Sequence, residues 1–243
     1  MARPARNPED ARQLIRIVLT GDRLQHSLAV GRQASRLATA VTDPTDRAAV
    51  ITAALLHDIG YSPIIASTGW HPLDGARWLQ QHGWPPTICR LVMWHTASWH
   101  EGHLRGLYDT AAHEYGPPHP TDPLAAIIAA ADLTTGPTGQ PTTINRRLVE
   151  IRNRYPTPSL VVQALELAEA DMRRLHTRGN HPPNPRHPRS ATASPPAAEP
   201  TELPTRPLPM LSPLRSSPTS PPQGHRPDHP FPTSSPDATA RRR

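Results

Sequence analysis

The 243 residues contain no lysine, so every fixed side-chain positive charge is a guanidinium. That absence reads as a coding bias rather than a mechanism. There is one cysteine, Cys89, which excludes an internal disulfide and with it a disulfide-built secreted scaffold. Long apolar runs are missing too. The opening MARPARNPEDARQLIRIVLTGD has a short apolar stretch flanked by charge, fitting neither a signal peptide nor a membrane span. LAAIIAAADL is apolar but far too short to cross a bilayer. The expectation is a cytoplasmic protein without membrane contact.

What is there divides unevenly. Residues 1–180 hold 75 hydrophobic residues and 15 prolines, whereas residues 181–243 hold 12 and 18. Only the first part has the apolar mass to offset chain ordering. We read 1–179 as one helical domain and 180–243 as a disordered Pro/Ser/Thr/Arg-rich tail. The formal charge of +6 splits into +2 before residue 181 and +4 after it. A diffuse basic tail is not by itself a nucleic-acid signal, although it could dock an acidic protein or a nucleic acid.

The fold class is all-α. Apolar residues recur at helical intervals, and no stretch alternates strictly or reads as a hairpin. PEDARQLIRIVLT opens the chain, with Gly21 closing that helix. Val30, Ala34, Leu37 and Val41 form the stripe of the next one. Asp43-Pro44 and Asp122-Pro123 are cap-plus-proline starts for two helices that are apolar on nearly every side. LDGARWLQQH, PTICRLVMWHTA, a more polar HLRGLYDTAAHEY, TTINRRLVEIRNRY and SLVVQALELAEADMRRLH complete the set.

Polar groups on those apolar faces carry the chemistry. His26 continues the Val30 stripe inward, His57 and Asp58 end the helix that starts at Pro44, and Asp132 ends the one that starts at Pro123. A helix carboxyl end disfavours an anion, and burial removes the water that would stabilise it. No arginine shares those short stripes. A divalent cation held by His and Asp is the simplest compensation. Taken singly, His26 could be a satisfied core histidine and Asp132 a cap; the four together favour one shared site.

RLQHS, ALLHDIG and AADLTTG resemble the HD superfamily of metal-dependent phosphohydrolases, whose signature is a separated His, a contiguous His-Asp pair and a late Asp. LLHDIG resembles the HDIG-type branch, and the HP-DGA and DLTTGP segments resemble small stand-alone bacterial members. The resemblance spans roughly residues 20–155. It implies an HD-domain helical bundle that hydrolyses a phosphoester or phosphoanhydride, in a nucleotide or related small phosphorylated molecule. It also implies that His26, His57, Asp58 and Asp132 hold one divalent ion, with Mn, Fe, Co, Ni or Mg as candidates. His71 in GWHPLDGA and His95 in VMWHTA resemble the histidines that hold a second ion in some members. Asp58 would orient the attacking water or bridge the metals.

No P-loop and no convincing GxGxxG sequence is present, so phosphate contacts must come from metals and scattered Arg, Ser or Thr groups. Arg23, one turn before His26, is the cationic candidate, against a reading as a solvated helix residue. Thr134 and Thr135 could touch substrate or simply stabilise their loop. Gly60-Tyr61-Ser62-Pro63 does not match the Gly-Tyr-Pro motif of cyclic-dinucleotide members. Trp84, Trp94 and Trp99 read as packing, and His82 and His100 as surface residues. A non-enzymatic nucleotide-binding sensor or adaptor and a di-iron HD-type oxygenase remain as alternatives.

Overall fold

A computed structural model describes residues 6–156 and 158–181, and the proposed tail from 182 onward lies outside the described residues. Among them are ten α-helices and no named strand. The helices are α1 (Pro8–Val18), α2 (Gly21–Leu37), α3 (Pro44–Leu56), α4 (His71–Gln81) and α5 (Pro86–Met93). They continue with α6 (Trp99–Leu104), α7 (Tyr108–Tyr115), α8 (Pro123–Leu133), α9 (Ile144–Arg154) and α10 (Leu160–Asn180). No described helix is long and apolar enough to cross a membrane.

The starts follow their local chemistry. The Asp43 carboxylate accepts from the Thr45 and Asp46 amides ahead of α3, and the Asp122 carboxylate accepts from Leu124 and Ala125 ahead of α8. Each satisfies two amides that the helix itself cannot, with proline at the first helical position where no amide is needed. Gly21 differs from expectation. It opens α2 at φ +53° instead of closing α1, whose last turn is finished by Leu19 in an extended conformation.

Two helices are central. Helix α3 packs against α1, α2, α5 and α8, and α8 packs against α2, α3 and α10. Every residue of α8 from Ala125 to Leu133 is buried. Such a helix is surrounded, and whatever polar group ends it is surrounded too. The main core joins Ile15, Val30, Leu55, Leu56, Leu91 and Ile128. A second cluster holds Trp70, Met93, Trp94 and Trp99. Trp84, Trp94 and Trp99 are all buried in these clusters, as packing residues should be.

Helix α10 seals the bundle against α8. Gly179 sits so close that an added Cβ would lie 2.1 Å from the Ala126 carbonyl oxygen. Contacts of the domain therefore run into the last turn of α10, and the sequence boundary at 179 cuts that turn. A chain truncated after His181 is expected to keep its helical signal and melt cooperatively. Circular dichroism on heating checks this, and loss of a folded body would remove the domain boundary.

Candidate metal centre

The ends of α3 and α8, the middle of the first turns of α2, and the start of α4 meet at one place. His26 enters from α2, His57 and Asp58 follow α3, His71 is the first residue of α4, and Asp132 is next to last in α8. His95 was expected on an α5 face. That helix ends at Met93, and His95 instead opens a short 3₁₀ turn, His95–Ala97. It is buried there and still joins the group, with its ring centroid 5.1 Å from His57 and 5.2 Å from His71.

Backbone carbonyls fix the tautomers. Nδ1–H of His57 donates to the Ala54 oxygen at 2.8 Å, that of His95 to Val92 at 2.6 Å, and that of His26 to Gly136 at 3.0 Å. A carbonyl can only accept, so in each neutral ring Nε2 keeps its lone pair. Those lone pairs converge on carboxylates. His57 Nε2 lies 3.4 Å from Asp58 Oδ2, and His26 Nε2 lies 3.2 Å from Asp132 Oδ1 and 3.8 Å from Asp58 Oδ2. His71 Nε2 lies 3.4 Å from Asp58 Oδ1 and 3.3 Å from His95 Nε2. The buried Nε2 atoms of His26 and His57 have no hydrogen-bond partner. Electron pairs facing carboxylate oxygens in a buried place are a poor arrangement unless a cation stands between them.

Two ligand groups result, His26/His57/Asp58 and Asp58/His71/His95, each with its donor atoms within 4.8 Å of one another. Asp58 belongs to both. Its Oδ2 faces the first and its Oδ1 faces His71 of the second. Backbone angles of φ −99° and ψ 9° place Asp58 in the sparsely populated bridge region, where the chain turns out of α3. Asp132 approaches the first group only, 4.0 Å from His57 Nε2. The donors are imidazole and carboxylate, a set that suits a divalent transition metal.

The electrostatics agree. Burial opposes ionisation of Asp58, but Arg23, His57, His71 and His26 overturn it and hold the carboxyl well below the ordinary range. Asp132 is likewise lowered against its burial, by His26, His57 and Arg147. Burial pushes the His57 imidazole down to about 4, and it lowers His71 well below the usual value. Neutral imidazoles beside ionised carboxylates are the protonation states that metal binding requires.

No arginine shares the stripes of these aspartates, yet two reach them from other helices. Arg23 pairs with Asp58, its guanidinium 3.9 Å above the Tyr61 ring. Arg147 of α9 brings Nη2 to 3.7 Å from Asp132 Oδ1. Stripe counting within one helix could not see either contact, because both cross between helices. Arg23 is thus placed in the centre, not on a solvated face. Nothing in RRL distinguished Arg147 from its neighbour Arg146. Thr96 was also missed: its hydroxyl donates to Asp132 Oδ2 at 2.8 Å, from a left-handed backbone at φ 48°. A β-branched residue rarely adopts that conformation, and no sequence signal marks it.

Other candidates fall away. The Thr134 and Thr135 hydroxyls donate back to Ala130 and Ala131 at 2.7 Å, finishing α8. His100, expected at the surface, is half-buried and pairs with Asp171 of α10 at 2.8 Å. His82 is exposed and stacks on Trp78.

Residues 23–136 match the family model of the HD domain. Over this segment the chain is similar to HD domains. Such domains are typically metal-dependent phosphohydrolases, and the match runs from Arg23 through His26, His57, Asp58, His71, His95 and Asp132. No curated protein and no solved structure matches the chain. Helices α9 and α10 lie beyond the matched segment, so Arg147 does as well.

Proposed function

We propose that the protein is a metal-dependent phosphohydrolase that cleaves a phosphoester or phosphoanhydride bond in a small phosphorylated molecule, nucleotides being the class that the resemblance implies. The observation that carries this reading is the convergence of histidine Nε2 atoms and carboxylate oxygens in two groups sharing Asp58. His26, His57, Asp58 and Asp132 would hold one divalent ion, and His71 and His95, with Asp58, a second. When bound, such ions offset charge on the nonbridging phosphoryl oxygens and acidify a water molecule.

The chain's own groups do the rest. Carbonyl contacts from Ala54, Val92 and Gly136 hold the imidazoles in the tautomer that presents Nε2. Arg23 pairs with Asp58, and with Asp58 serving as a metal ligand the Arg23 guanidinium would be placed for a phosphoryl oxygen. Tyr61 keeps that guanidinium stacked and oriented. The water oxygen bonds to phosphorus, the P–O bond to the leaving group breaks, and the leaving oxygen takes up a proton.

The test is a panel of nucleotides and other phosphoesters, each assayed with Mn, Co, Ni, Fe and Mg. Metal-dependent release of phosphate or of a phosphorylated product is expected. Binding of nucleotide without turnover under any metal would replace the enzyme reading with a sensor. Iron- and dioxygen-dependent turnover would replace it with an oxygenase. For the two-ion arrangement, changing His71 and His95 together to alanine is expected to lower metal content from about two toward about one per chain. Elemental analysis of the folded variant decides this. One ion in the wild type, unchanged by the double substitution, would leave these histidines a positioning role.

A further inference from the structure

The cavity above the metal centre is lined by unlike groups, and Tyr61, Arg154 and Tyr155 contribute further polar side chains to it. One group is Asp58, His71, His95, Asp132, Arg23 and Arg147. Another belongs to α10, whose lining side chains are Val161, Ala164, Leu165, Ala168 and Met172. Spaced at three to four residues, these form one apolar stripe along the helix. Not one of them can donate or accept a hydrogen bond through its side chain. Three of the other polar side chains lining the cavity are engaged elsewhere. The Ser98 hydroxyl donates to the Met93 oxygen at 2.7 Å, Thr96 donates to Asp132, and Glu101 pairs with Arg105 at 2.7 Å. The volume is about 120 Å³, well below the ~300–1,000 Å³ of pockets that enclose drug-sized ligands.

Arg147 of α9 lines the same cavity. It is 6% exposed, donates from Nη1 to Glu150 at 2.6 Å, and has its buried Nε without a hydrogen-bond partner. A buried guanidinium lining a cavity is suited to an anionic oxygen there. Its one contact with the metal centre, at 3.7 Å from Asp132, is long for a hydrogen bond.

We propose that the cavity selects a compact phosphomonoester of an apolar alcohol or phenol. Arg147 contacts the phosphoryl group beside the metal centre, and the organic group packs on the α10 stripe. This rests on the phosphohydrolase reading and narrows it. Sugar hydroxyls and base-edge groups of a nucleoside laid on the α10 stripe would find no side-chain partner there, and each buried unpaired polar group is costly. In the reaction, water adds to phosphorus, the bond from phosphorus to the ester oxygen breaks, and that oxygen leaves protonated as the alcohol or phenol.

The experiment compares binding and turnover in the full chain loaded with Mn. By calorimetry, phenylphosphonate is expected to bind about tenfold or more tighter than methylphosphonate, from the apolar area of the ring alone. Phenyl phosphate should show at least about a tenfold higher kcat/KM than adenosine 5′-monophosphate. Changing Val161 to Asn and Met172 to Gln should bring the phenyl-to-methyl binding ratio toward one, and Met172→Gln alone serves if the pair misfolds. Arg147→Gln should weaken both phosphonates by a similar factor, leaving their ratio standing. Equal binding of the two phosphonates by the wild type, or faster turnover of the nucleotide, would overturn the inference while leaving the phosphohydrolase standing. No phosphonate binding and no metal-dependent phosphate release from any ester would overturn both.

Discussion

Replacing Asp58 by alanine is expected to strip bound metal from near two ions per chain to near none and to reduce phosphoester hydrolysis by at least ~10³-fold, about 4 kcal/mol of transition-state stabilisation. No other substitution should reach both ligand groups, because only Asp58 belongs to both, offering Oδ2 to His26 and His57 and Oδ1 to His71. Considered as a lone buried carboxylate, its removal would stabilise the metal-free protein. The pairing with Arg23 reverses that sign. The guanidinium is 12% exposed and would lose its charged partner. Breaking one side of such a pair costs about 3–5 kcal/mol. Metal-free Asp58→Ala should therefore melt lower than the metal-free wild type, and adding Arg23→Met in the same chain should recover much of the loss. Divalent metal should raise the melting temperature of the wild type and leave the variant unmoved. Elemental analysis and thermal melts with and without Mn read all of this. Full metal content and turnover in Asp58→Ala would end the proposal that Asp58 is a shared ligand.

Much of this centre was legible because its parts lie where two simple patterns conflict. His26 on an apolar stripe, and acids ending the two most apolar helices, are anomalies that burial makes costly. Asp43-Pro44 and Asp122-Pro123 fixed the starts of those helices, so the places where Asp58 and Asp132 emerge followed by counting turns. His71 was legible from its proline, which marks the first turn of α4. What stayed hidden depends on tertiary approach. Arg147 reaches Asp132 from α9, across a helix–helix interface, and although Arg23 was named as the cationic candidate, its crossing from α2 to Asp58 at the end of α3 was not. The end of α5 at Met93 was equally invisible, since neither glycine nor proline follows it in Trp94-His95-Thr96-Ala97. The chain leaves the helix there, and Thr96 and Ala97 take positive φ of 48° and 63°. Neither is a glycine or an asparagine, the residues that usually announce such a turn.

Gly60 carries the second large prediction. It follows the His57-Asp58 pair inside a 3₁₀ turn, Ile59–Tyr61, which lies directly against the first turns of α4. A Cβ on Gly60 would sit 2.0 Å from the His71 carbonyl oxygen and 2.8 Å from the Gly75 amide nitrogen. Both obstacles are backbone, so no side-chain rotation relieves them. The turn and α4 would have to part until the first contact opens to at least 3.0 Å. Gly75 returns the constraint, since its own Cβ would come 3.0 Å from Ile59 Cγ2. His71 rides on the displaced segment, and its Nε2 now lies only 3.4 Å from Asp58 Oδ1. Gly60→Ala is thus expected to destabilise the fold by about 1–3 kcal/mol, as overpacking does. It should also move His71 out of register with Asp58 and His95. Misplacement on the order of 1 Å costs about 10²-fold in rate. Because His26, His57 and Asp132 come from α2, α3 and α8, the first ion should remain, and metal content should fall from about two toward about one per chain. The signature is a folded variant with a single tightly held ion and greatly reduced turnover, read by elemental analysis beside a denaturant melt. If Gly60→Ala kept both ions, its turnover and its stability, the close approach of the turn to α4 would have no part in placing His71.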